Sequence, residues 1–199
     1  MLYTTIFWIC FSLWIYALSV LKRAKLAGFY FIVGSIGLFA TCIFLFQDYL
    51  VWLFSAVLCR SLRPIGLFTG LFSTVNDNLL ILKRPLETLY VYLDFECSGV
   101  IETTAFFGLI MFYPLYTRKE RSFLALTGIA YIYFANFFRI LLIVGVLQMG
   151  GSTWFYFVHS ILGRLFFYVL IITLYYNVFT RSHIVQKYLQ RLEPGATLA

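Results

Sequence analysis

Charged residues are scarce in this chain. Asp, Glu, Lys and Arg make up 12% of its 199 residues, about half the share found in soluble globular domains. With 62% hydrophobic and 21% aromatic residues, that shortage excludes a water-soluble fold. Histidine is rarer still. Two His and four Cys, with no C-x-x-C pair, leave too few clustered ligands for a metal site. The cysteines at 10, 42, 59 and 97 are too scattered for a disulfide framework. No Gly-rich phosphate loop is present. No cofactor is therefore expected. The net charge of +7 sits mostly in short segments between apolar runs. It implies anionic lipid, especially for the tail from Arg181 to Arg191, and does not imply nucleic acid.

What the chain does have is long apolar runs. A helix needs roughly 20 mostly apolar residues to cross a hydrocarbon core of about 30 Å. The expected fold is an all-α integral membrane protein, a single membrane domain over residues 1–199. It has about five transmembrane helices, at residues 3–21, 28–46, 99–117, 122–147 and 154–179. The basic segments KRAK (22–25), RKER (118–121) and the tail 180–199 mark the cytoplasmic side. The first run lacks a basic start and a small-residue exit, so it is expected to be retained as a span that begins outside, not removed as a signal peptide. A multi-pass plasma-membrane protein follows.

Residues 47–96 begin and end on the outer side in this scheme, so they contain either two crossings or none. Two crossings would bury Asn76, Asp77 and Asn78 in lipid, at high cost. The preferred reading is an interfacial or re-entrant helical segment at 49–72, broken near Pro64, followed by an outer β-hairpin at 76–96 around the turn KRPLE. Lys83 and Arg84 in that turn run against the positive-inside rule.

One polar island interrupts the apolar pattern: DFECSG, residues 94–99, just ahead of a helix-like run. Cys97 lies at the outer end of that helix. Arg139 falls roughly 12 Å below the outer end of the next span, and His159 roughly 8 Å into the last. All three occupy the outer third of the bilayer on successive, closely linked helices, so a thiol, a guanidinium and an imidazole can meet in one cleft. Each also has a bland reading. A lone cysteine is often an apolar filler. Arg139 can be structural, paired with Glu102, and Arg164 is its rival for the cationic role. An arginine within a span costs about 2.5 to 3.5 kcal/mol on insertion scales and by default marks function.

FECSGVIE (95–102), ANFFRI (135–140) and HSILGRLFF (159–167) resemble the three signature elements of the exosortase/archaeosortase family. In order, these are Cys-Ser-Gly at the outer head of a helix, Asn-x-x-Arg on the next, and His followed four residues later by Gly on the one after. The resemblance spans residues 76–170. It implies a membrane-embedded cysteine transpeptidase or protease acting on exported proteins that carry a C-terminal sorting signal made of a short motif, a hydrophobic helix and a basic tail. Carried over by motif, Cys97 is the nucleophile, Arg139 and His159 complete the catalytic set, and Ser98, Asn136 and Gly163 support it. The chain is shorter than many members, which suggests a compact branch with its own substrate signal.

The chemistry is coherent without the family. A thiolate forms an acyl intermediate that survives until an acceptor arrives. His159 suits proton exchange, and Arg139 suits an oxyanion or substrate carbonyl. Glu102 is placed as a possible orienting acid. The helix end, Arg139 and a protonated His159 are expected to hold the Cys97 thiol below its free value against Asp94 and Glu96, with Ser98 and Gly99 capping the helix. With 23 Phe and 15 Tyr in the chain, the site is expected to open sideways as an aromatic cleft that admits a substrate helix from lipid. The alternatives are a non-enzymatic subunit or scaffold of an export or surface-polysaccharide system, and, more weakly, a thiol-dependent acyltransferase. The acceptor that would receive the cleaved protein is unknown.

Overall fold

The computed structural model describes residues 2–84 and 87–181. Helix α1 (Leu2–Arg23) ends in a tight turn, where Lys25 takes a left-handed conformation (φ 56°) and Leu26 N–H returns to Leu21 O. This pattern satisfies carbonyls that the helix end would otherwise orphan. Helix α2 then runs unbroken from Ala27 to Thr69, 43 residues or about 65 Å. The structure thus replaces the separate span at 28–46 and the helix at 49–72, broken near Pro64, with one rod that carries Pro64 inside it. Ser55, Ala56, Leu58, Cys59 and Leu62 are buried, a stripe at helical spacing that faces protein. The rod stops at Gly70, whose left-handed φ of 67° and N–H to Gly66 O form its C-terminal cap.

A three-stranded antiparallel sheet follows, ordered β1 (Ser73–Val75), β2 (Leu79–Lys83) and β3 (Thr88–Tyr92). Leu80 faces Val91 and Leu82 faces Leu89 across β2 and β3, so the hairpin expected from alternation is present, with β1 as an extra strand. Leu80, Leu82 and Val91 are buried against the later parts of α2 and α4.

Helix α3 (Val100–Phe112) is 13 residues long, about 20 Å, and not the span expected over 99–117. Pro114 explains the early stop. The residue before a proline is driven out of the helical region, and Tyr113 is extended (ψ 122°). Arg121 caps the end by donating to the carbonyls of Met111 and Tyr113. The extended segment leads into α4 (Arg118–Gly150), which opens with a capping box between Thr117 and Glu120. After Gly151, the last rod covers Ser152–Thr180: a 3-10 turn (Ser152–Trp154), a π-helical turn (Phe157–Leu162), then α5 (Gly163–Tyr175) and a second π-helical turn.

Among the described residues, four helical rods are long and apolar enough to cross a membrane: Thr4–Arg23, Ala27–Thr69, Arg118–Gly150 and Ser152–Thr180. α3 falls short of that length. Helix α1 docks on α2, through the stacked rings of Phe7 and Phe44, 4.1 Å apart, and through Trp14, whose indole donates to Val33 O over the bare backbone of Gly37. The buried core has two parts. One joins α2, the sheet, Cys97, the end of α4 and Val158. The other joins α3, the start of α4 and α5. Asn136 and Arg139, both buried, lie on α4 between the stretches that feed the two. The expected basic tail lies outside the described residues beyond Arg181.

Candidate active site

The nucleophile candidate sits in a turn built by Asp94. One carboxylate oxygen of Asp94 accepts from the N–H groups of Glu96 and Cys97, both at 3.1 Å. Its main-chain carbonyl accepts from Cys97 N–H and Ser98 N–H. Such an Asx turn is the local alternative to helix or strand that aspartate favours. Gly99 then adopts φ 78° at the N-cap of α3, where a residue with a side chain is strained. The capping role expected of Ser98 is not found: its hydroxyl donates back to Phe95 O. From α4, the Asn136 side-chain amide donates 2.8 Å to Cys97 O and locks the turn to the helix behind it.

Three elements converge on the sulfur. His159 Nε2 lies 3.5 Å from Cys97 Sγ, and Arg139 Nη2 lies 3.9 Å from it. In the tautomer with hydrogen on Nδ1, Nε2 accepts the thiol proton. His159 sits in the π-helical turn Phe157–Leu162, a local widening frequent at functional sites. Its ring stacks on Phe155, with centroids 5.5 Å apart and planes 8° off parallel. Gly163 lets this turn approach α4: an added Cβ would meet Ile143 Cδ1 at 2.9 Å and Val158 O at 3.1 Å.

Arg139 is only 2% exposed yet poorly satisfied. Besides the sulfur it reaches Glu96 O at 3.5 Å, at the weak limit for a hydrogen bond, and its Nε has no protein partner among the described residues. Its flat group lies over Phe167, 5.3 Å from the ring centroid. The ion pair with Glu102 suggested by sequence is absent among the described residues. Glu102 instead lines a cavity of about 240 Å³ beside Arg139, together with Glu96 and Arg164, and it does not orient His159, whose Nδ1 has no protein partner. Arg164, the rival cation, pairs instead with Glu96 at 2.5 Å, with its side chain 43% exposed.

Two further expectations fail. Cys97 is 1% exposed, enclosed by α2, the sheet and α4, so no lateral cleft is open at the sulfur. Burial also pushes its thiol up to about 11. Arg139 pulls the other way, but Asp94 and Glu96 add to the rise. Desolvation outweighs one cation when two carboxylates oppose it. The features that sequence reasoning missed were the Asx turn of Asp94, legible as Asp-x-x-Cys, and the ring partners Phe155 and Phe167, which carry no distinct signal in an aromatic-rich chain.

Comparison with family models, curated proteins and solved structures finds no match for this chain.

Proposed function

We propose that the protein is a multi-pass plasma-membrane cysteine transpeptidase or protease whose site faces outward. Its substrate is an exported, membrane-anchored protein with a C-terminal signal of motif, helix and basic tail. The observation that carries this reading is the convergence of Cys97, His159 and Arg139, from a turn and two different helical rods, on one sulfur at 3.5 and 3.9 Å. The four apolar rods support the membrane setting, and the basic segments support the orientation.

The buried thiol is neutral at rest, so His159 Nε2 takes its proton as sulfur attacks the scissile carbonyl. Arg139 stabilises the oxyanion that forms. The C–N bond then breaks, and the protonated imidazole gives its proton to the leaving amine, leaving a thioester on Cys97. An acceptor nucleophile or water attacks that thioester. Its proton passes through His159 to the departing sulfur, which restores the thiol.

Hydroxylamine tests the intermediate. The protein in lipid nanodiscs is incubated with candidate substrates encoded near its gene that carry a C-terminal helix and basic tail. Turnover that yields a substrate hydroxamate and vanishes in Cys97→Ala is the expected result. Full turnover in Cys97→Ala sinks the reading. The near-complete burial of Cys97 favours the second reading, a non-enzymatic subunit or scaffold in which Cys97 fills the core. That reading predicts no acyl intermediate with any substrate.

A further inference from the structure

The cavity beside Arg139 is walled by Ile101 and Glu102 from α3 and by Arg164, Phe167 and Tyr168 from α5. Helices α3 and α5 both rest on α4, and Arg139 of α4 lies between them. We propose that this cavity is the binding site for the substrate, that it takes an extended peptide main chain, and that the chain reaches Cys97 from here. The proposal rests on the transpeptidase reading.

Four features carry it. First, Arg139 lines this cavity and is more than nine-tenths buried, and its buried Nε is without a protein partner among the described residues. A buried donor left unmade is costly, more so when charged, so the site is incomplete without a ligand that accepts hydrogen bonds. Second, the same guanidinium touches the Cys97 sulfur at 3.9 Å. A carbonyl bound to Arg139 from the cavity is therefore already beside the nucleophile.

Third, charge in the cavity is balanced: two arginines face Glu96 and Glu102. A lone anion or cation meets as much repulsion as attraction there, whereas a peptide chain offers carbonyls to the arginines and N–H groups to the carboxylates. Fourth, its volume of about 240 Å³ lies below the roughly 300 to 1,000 Å³ of small-molecule pockets. A helix, about 10 to 12 Å across with its side chains, does not fit. The scissile segment must therefore enter unwound while the sorting helix stays in lipid.

At rest the entrance carries the Glu96–Arg164 pair, with side chains 62% and 43% exposed. A pair this exposed is weak because water screens it, so a chain that offers substitute partners displaces it readily. The larger cavity between α2 and the sheet, about 570 Å³, is lined by Asp48, Asp77 and Asp94 but touches neither Arg139 nor the sulfur. Its one buried hydroxyl, on Ser55, is satisfied by Leu93 O.

The test follows alkylation of Cys97 by N-ethylmaleimide in nanodiscs, read by mass spectrometry of the Cys97 peptide. Ile101→Trp, which fills the cavity, is expected to slow labelling by about tenfold, and Arg164→Gln to speed it several-fold by opening the entrance. Asn78→Trp, in the other cavity, should leave the rate unchanged. Millimolar N-acetyl-tetraglycine amide, a main chain without side chains, should protect Cys97 in the native protein and fail to do so in Ile101→Trp. Absence of protection in the native protein overturns the proposal, as does slowing by Asn78→Trp and not by Ile101→Trp. Thermal unfolding of each variant separates blockage from misfolding. The protection readout needs no turnover, so the transpeptidase reading can fail in the hydroxylamine test while the cavity's affinity for main chain stands.

Discussion

The amide of Asn136 holds the carbonyl of Cys97 at 2.8 Å, so the residue three positions before Arg139 fixes the main chain that carries the sulfur. One turn of α4 thereby sets both the position of the thiol and its nearest cation. Asn136→Ala removes the donor and leaves a buried carbonyl unsatisfied, which costs about 1 to 3 kcal/mol. Thermal unfolding in nanodiscs should show a lower midpoint, and Cys97 should label faster as its turn loosens. An unchanged midpoint together with unchanged labelling would show that this bond does not hold the turn.

Cys97 alkylation should report a thiol that is hard to ionise. Burial sets its value near 11, well above the roughly 8.5 of a free thiol, so the rate should still be rising with pH at about pH 9. Arg139→Ala removes the one nearby charge that favours the thiolate, which moves the profile further up and slows labelling at fixed pH. Asp94→Asn keeps an acceptor oxygen for the turn but removes an opposing charge, so it moves the profile down. A wild-type midpoint at or below the free value would mean that the cations prevail over burial.

The spacing of apolar runs made most of the helices legible, because membrane-length runs bounded by basic segments leave few alternatives. α2 departs from the expected division where the pattern is least informative. Gln47 and Asp48 interrupt its apolar run and Pro64 suggests a break, but a buried stripe from Ser55 to Leu62, formed with partners distant in sequence, keeps the rod continuous. α3 was overextended because hydropathy does not register the veto that Pro114 places on Tyr113. At the site, residue types and depth pointed to Cys97, Arg139 and His159, whose distances the fold supplies. The protonation state of the thiol was not legible, since burial is a property of the packed core and not of the motif.

The hairpin is tied to the start of the last rod. Glu87 pairs with Arg84 at 2.6 Å and accepts from Ser152 N–H at 3.0 Å. The bonds from Ser152, followed by Arg84, hold its carboxyl below the usual range. A depressed folded value means that the stabilisation is present above the unfolded carboxylate value, about 4.3, and is lost as pH falls through the lower folded value. Wild type should therefore lose unfolding midpoint toward acid more steeply than Glu87→Gln, which has no carboxylate to protonate. Parallel curves for the two proteins would remove Glu87 as a pH-dependent tie.

Gly163 should be the position least tolerant of enlargement in the last rod. An added Cβ meets Val158 O at 3.1 Å and Ile143 Cδ1 at 2.9 Å. The leucine-like end of Ile143 can shift, but the carbonyl belongs to the π-helical turn that presents His159. Gly163→Ala should therefore push that turn outward and move Nε2 beyond reach of the sulfur, with little effect on the Asn136 bond that holds Cys97. The expected signature is selective: turnover falls by about tenfold or more, as for a misplaced catalytic group, while the unfolding midpoint drops by no more than the few degrees typical of modest overpacking. Gly145→Ala on α4, where an added Cβ meets nothing within 4 Å, should change neither. If Gly163→Ala keeps full turnover, or loses turnover only in proportion to unfolded protein, the close approach of these helices does not position the imidazole.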